Sequence, residues 1–115
     1  MTKVALFAFN GDPTCFIHVL LNALDLDSRG VQVCMVIEGA ATRLIPELGS
    51  EAGALHKLYR QAREKGLVQG ACRACSAKTG TLKAAEDQGL PLLDDINGHP
   101  SMGRYMEEGY SIISF

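Results

Sequence analysis

Four cysteines and three histidines hold most of the reactive chemistry in this sequence of 115 residues. Two of the cysteines form the pair Cys72-Arg73-Ala74-Cys75. Thiols one helical turn apart can approach each other, so such a pair can close a disulfide, resolve a persulfide or share a metal ion. The thiolate is the reactive form, and the first turn of a helix, with its unpaired N–H groups, lowers a cysteine pKa to roughly 3.5–7.5. Arg73 and Lys78 add positive charge nearby. These features make Cys72 the predicted nucleophile and Cys75 its assistant or resolving partner. A cysteine is equally a small hydrophobe, and Cys34, inside the apolar run Val31 to Ile37, fits that role. Cys15 follows Asp12-Pro13 and is a supporting candidate, together with His18, Lys78 and His99. His18 and His99 can each take a proton near neutral pH, ligate a metal, or simply sit at the surface. His56 lies among charged residues and reads as a solvated position. Glu38 ends an apolar run and is a further candidate.

The elements that must position these residues alternate between strand and helix. Lys3 to Phe9 is a β-rich run stopped by Asn10-Gly11-Asp12-Pro13. Asp12 and Pro13 then supply a helix cap and first turn, and Phe16, Val19, Leu20, Ala23 and Leu24 recur at helical spacing up to Gly30. Val31 to Ile37 is a near-continuous apolar run, as in a strand covered on both faces. A short helical turn is expected over Thr42 to Leu48 and a longer helix over Glu51 to Lys65. Leu67 to Ala71 reads as the third strand and ends on Cys72, with a short helix to Thr79. Thr81 caps another to Gln88, and Leu90 to Leu93 is a fourth strand. Pro100 opens a helix through Glu107, and Tyr110 to Phe115 is a fifth strand. This order implies one α/β domain over residues 1–115, a three-layer α/β/α sandwich around a five-stranded parallel sheet. Ligands of such sheets bind outside the carboxyl ends of the strands. Five segments leave that edge, Asn10 to Cys15, Glu38 to Thr42, Cys72 to Cys75, Asp94 to His99 and the extreme C-terminus, so three cysteines and one histidine are expected to converge there, with His18 one helical turn away.

Composition narrows the function. Hydrophobic residues make up 47% of the chain and charged residues 21%, the balance of a globular domain. The formal charge of −2, with no basic run, argues against nucleic acid or an anionic membrane as partner. The N-terminal apolar run is short and reads as a strand, not as a signal peptide. A cytoplasmic location is therefore expected, where four cysteines serve chemistry or metal binding more than a disulfide framework. The loop Asn10 to Thr14 has one glycine and no Walker pattern, so no nucleotide cofactor is expected. A single C-x-x-C pair is half of a zinc signature, which leaves a metal- or small-ligand-binding module as an alternative and no cofactor as the first expectation.

The stretch Cys72-Arg73-Ala74-Cys75-Ser76-Ala77-Lys78-Thr79-Gly80 resembles the DsrE/DsrF-like pattern, in which a cysteine at the end of the third strand opens a helix ending in Arg-Gly. The opening strand, the Asn10 to Pro13 loop, the Val31 to Glu38 strand with Gly39-Ala40, and the terminal Gly109 to Phe115 are similar in outline. The resemblance implies a small cytoplasmic protein that forms trimers or hexamers and carries a persulfide on the cysteine matching Cys72. Its partners would be a protein or small-molecule sulfur donor and an acceptor, making it a sulfur carrier or sulfurtransferase. The alternatives are the ligand-binding module and a dithiol redox protein using Cys72 and Cys75. One departure stands out: the family's arginine before the glycine is Thr79 here, with Lys78 one place earlier.

Overall fold

The computed structural model describes residues 2–115; Met1, the first residue of the opening run, lies outside them. Strand β1 (Lys3–Ala8) is buried along almost its whole length, because its apolar residues face packed side chains on both sides. Asp12 caps α1 (Pro13–Ser28) by accepting from the Thr14 N–H, and Pro13 opens its first turn. Strand β2 (Gln32–Ile37) follows, then a 3-10 helix (Gly39–Leu44), α2 (Ile45–Leu48) and α3 (His56–Glu64). Strand β3 (Val68–Cys72) runs straight into α4 (Arg73–Thr79). The remainder is α5 (Leu82–Asp87), β4 (Leu92–Leu93), α6 (Met102–Glu107) and β5 (Ser111–Ser114).

All strand pairs are parallel, in the order β4-β3-β2-β1-β5. From β1 to β4 the chain steps outward in one direction, and the last connection returns past β1 to β5. Right-handed crossovers that keep stepping one way leave their helices on one face, and a reversed step puts its helix on the other. The cores divide accordingly. Leu6, Ala8, Met35 and Ile37 pack with Phe16 and Leu20 of α1 and with residues of α2, α3 and α5. Ala5, Phe7, Cys34 and Val36 point the opposite way and meet only Tyr105 of α6 among fully buried partners. Helices do lie on both faces, but among the described residues the second layer is the one short helix α6. Phe7 and Phe16 are both 0% exposed, and each such burial contributes about 1.5–3 kcal/mol.

Two expected helix starts move, each for a local reason. The helix expected from Glu51 starts at His56, since residues 51–55 form turns and no side chain caps the start; Gly53 also weakens helix formation there. His56 is correspondingly not a solvated surface position: it is half-buried, and its Nδ1 lies 2.7 Å from the Leu48 carbonyl oxygen. Pro100 does not open α6; Ser101 caps it, its Oγ accepting from the Arg104 N–H at 3.2 Å. The short β4 can lie close to β3 because Gly70 has no side chain; a Cβ there would stand 2.4 Å from the Pro91 carbonyl oxygen. Among the described residues no helix is long and apolar enough to cross a membrane.

Candidate functional site

Cys72 is both the last residue of β3 and the cap of α4. Its backbone is extended and its Sγ accepts the Cys75 N–H at 3.2 Å, so sulfur stands where a serine or aspartate oxygen caps other helices. Ile37 of β2 pairs in register with Ala71 of β3, which brings Glu38 alongside Cys72 at the carboxyl edge. The third contribution comes from the loop after β4. Ile96 and His99 exchange backbone hydrogen bonds of 2.8 and 2.9 Å around Asn97 and Gly98, both at positive φ. This is a tight hairpin turn of the kind that Asn-Gly dipeptides make. Its Gly98 carbonyl accepts from the Ala74 N–H at 2.9 Å, and Arg73 bonds Asp94 at 3.1 Å, so the loop is held against the start of α4 at two points.

The turn delivers His99 to the thiols. Its Nδ1 lies 3.2 Å from the Cys72 sulfur and 3.6 Å from the Cys75 sulfur. The three atoms all fall within 4.8 Å of one another. Cys72 and Cys75 are nevertheless unlike. Cys72 is 0% exposed, and burial, reinforced by the neighbouring Cys75 thiol, pushes its own thiol up to about 12; the Cys75 N–H bond opposes this only in part. The lowered pKa expected from the helix start therefore does not hold for Cys72. Desolvation outweighs what seven residues of helix supply. Arg73 does not offset it, being spent on Asp94 at the surface. Glu38 is buried too, with Oε2 lacking any partner; burial raises its pKa, and the nearby His99 opposes this only in part.

A cleft of about 510 Å³ opens above the pair, lined by Phe9, Arg43, Cys75, Lys78, Thr79 and His99 among others. Cys75 is thus the sulfur in the cleft wall, and Cys72 lies beneath it. Lys78 and His99 take their expected place at the site. Cys15 and His18 do not: both sit on α1, outside the thiol–imidazole cluster and outside the cleft lining. Cys34 packs in the second core, where burial pushes its thiol up to about 11. Thr79, which stands where the resembling family has arginine, ties helices together. Its Oγ1 lies 2.8 Å from Thr42 Oγ1 and donates to the Cys75 carbonyl at 3.0 Å, fixing α4 against the 3-10 helix. Phe9 and Arg43 were not among the predicted site residues. Arg43 is one position beyond the strand-end segment Glu38 to Thr42, and the Asn97-Gly98 dipeptide was the signal for the turn that presents His99.

No family model matches the chain. It is 30% identical over 96 residues to the uncharacterized protein MJ0733 of Methanocaldococcus jannaschii, covering 84% of this chain and 76% of that protein. An uncharacterized protein of Archaeoglobus fulgidus is 38% identical over 58 residues, which is 50% of this chain and 93% of the relative. Among solved structures, BT1422 of Bacteroides thetaiotaomicron, a conserved protein of unknown function, superimposes with a TM-score of 0.73. That match covers 98% of this chain and 94% of the other at 18% identity, a likeness of fold.

Proposed function

The chain belongs to the family of the archaeal protein MJ0733, and we propose that in it the Cys72–Cys75 pair carries sulfur as a persulfide for delivery to an acceptor thiol. One observation carries this reading: two sulfurs share a single imidazole nitrogen, and only one of the two faces a cleft. The similarity of the Cys72 to Gly80 segment to DsrE/DsrF-like proteins supports it. The buried position of Cys72 moves the point of entry to Cys75. His99 Nδ1 can take the Cys75 thiol proton, and the thiolate attacks the outer sulfur of a donor R–S–SH. The donor S–S bond breaks, R–S⁻ leaves with the bonding pair, and Cys75–S–SH remains. An acceptor thiolate then attacks the outer sulfur and regenerates the Cys75 thiolate. Cys72, one turn back and 3.2 Å from His99 Nδ1, can give its thiol proton to that nitrogen and attack Cys75–S–SH at the inner sulfur; the S–S bond breaks, hydrosulfide leaves with the bonding pair, and a Cys72–Cys75 disulfide remains.

The test is mass spectrometry of the full chain after exposure to a low-molecular-weight persulfide. One added sulfur atom, mapped to the peptide bearing Cys75 and absent from Cys75→Ser, is the expected outcome. An adduct that survives in both Cys75→Ser and Cys72→Ser would remove the pair from the chemistry. Quantitative formation of an intramolecular disulfide with no adduct would favour dithiol redox exchange instead.

A further inference from the structure

We propose that Cys72, Cys75 and His99 form a three-ligand site for one zinc-class divalent ion, with its fourth position open to the cleft. A zinc ion about 2.3 Å from each sulfur and about 2.0 Å from an imidazole nitrogen, in tetrahedral array, sets sulfur and nitrogen about 3.5 Å apart and the two sulfurs about 3.8 Å apart. The His99 Nδ1 stands 3.2 and 3.6 Å from the two sulfurs, and the whole trio fits within 4.8 Å. Hydrogen bonding already engages Cys72, whose thiol donates to the Gly98 carbonyl at 3.6 Å and whose sulfur accepts the Cys75 N–H at 3.2 Å, but it does not explain why both sulfurs approach one ring nitrogen. One ring nitrogen donates or accepts a single strong hydrogen bond, yet both sulfurs converge on it. A metal ion is the one partner that all three atoms can bind at once.

The surroundings point the same way. Thiolate and imidazole are the donor set preferred by zinc and by cobalt, not by magnesium or calcium. Glu38 adds a buried carboxyl beside Cys72, at the neighbouring strand end, with an oxygen that has no partner. A divalent ion would take the place of the thiol protons, since cysteine binds zinc as thiolate and releases its proton on binding, and its charge would also be offset by the buried Glu38 carboxyl beside the site. The site is also pre-formed on rigid parts: Cys72 and Cys75 on the β3–α4 junction, and His99 on a turn pinned by the Gly98 and Asp94 contacts. Three protein ligands leave the fourth position to water or to a ligand in the cleft, where Arg43 and Lys78 would favour an anion. No sulfur transfer is required for this inference, although a bound ion and a persulfide would compete for the same sulfurs.

Cobalt(II) titration of the reduced full chain tests it. The expected result is one cobalt per chain, with thiolate-to-cobalt charge-transfer absorption and the intense visible bands of a tetrahedral site, displaced by zinc(II). Cys75→Ser and His99→Ala, both on the cleft wall, should lose the charge-transfer intensity or weaken binding at least tenfold while circular dichroism stays unchanged. Cys15→Ser should bind as the parent does. Absence of charge-transfer absorption with excess cobalt, or its undiminished persistence in both Cys75→Ser and His99→Ala, would overturn the proposal. The persulfide adduct is a separate readout, so either idea can fail while the other stands.

Discussion

Cys72 and Cys75 are three positions apart on the chain and differ in one respect that governs their reactivity, access to water. An alkylating reagent must reach the sulfur and meet it as a thiolate. Cys75 lines the cleft, whereas Cys72 is closed off by Gly98, His99 and its own helix and has its thiol pushed up by burial. Cys34 is shut inside the second core, and Cys15 is partly open on α1. Iodoacetamide labelling of the folded protein, followed by peptide mass mapping, should therefore modify Cys75 and Cys15 and leave Cys72 and Cys34 protected by at least 100-fold until denaturant is added. Labelling of Cys72 at the rate of Cys75 would contradict the buried placement, and with it the reassignment of the entry sulfur.

The elements that carry the site can be tested through the turn that carries His99. Gly98 sits at φ 88, and a Cβ added there would stand 3.0 Å from Ala74 Cβ, so alanine is both strained in its backbone and crowded against α4. Gly98→Ala should cost about 1–2 kcal/mol of stability and, more tellingly, lift the turn and separate His99 from the sulfurs. The checks are urea unfolding and the labelling rate of Cys75, which should shift as its imidazole neighbour withdraws; an unchanged rate with reduced stability would mean that the turn does not position His99. The sequence makes much of this scaffold legible and misses its electrostatics. Strand order along the chain, the Asp12-Pro13 helix start and the β3–Cys72–helix junction are local patterns, so periodicity and capping reveal them. The meeting of His99 with Cys72 spans 27 positions and depends on a turn whose Asn97-Gly98 signal lies in an otherwise unpatterned loop. The burial of Cys72 depends on that same loop closing over it, which no window around residue 72 contains. Arg73 looked like a cation for the thiolate because it is adjacent in sequence; in space it is drawn outward to Asp94.

At the scale of the whole molecule, topology makes the two faces unequal, and the thinner one should respond to alkali. Among the described residues α6 is the one helix over the face formed by Ala5, Phe7, Cys34 and Val36, with Leu93, Tyr110 and Ile112 packed at its edge, and two ionisable groups, Cys34 and Tyr105, are enclosed there. Burial raises the Cys34 thiol from 9.0 to about 11 and the Tyr105 hydroxyl from 10.0 to about 12, with nearby Arg104 pulling both down only in part. Between those values the unfolded chain releases protons that the folded chain retains. The folded state then binds more protons than the unfolded one, so unfolding becomes easier as pH rises. The contribution of both groups is intact below pH about 9 and is lost progressively as pH rises through the folded values. Two pKa units correspond to about 2–3 kcal/mol for each group. Urea unfolding followed from pH 8 to 11 should show stability falling, and Cys34→Ala combined with Tyr105→Phe should flatten the slope to the part owed to Cys72 and Tyr59, whose values burial also raises. A slope left unchanged by that pair would mean that α6 opens before either group titrates, and that the second face is a layer loose enough to detach from the sheet on its own.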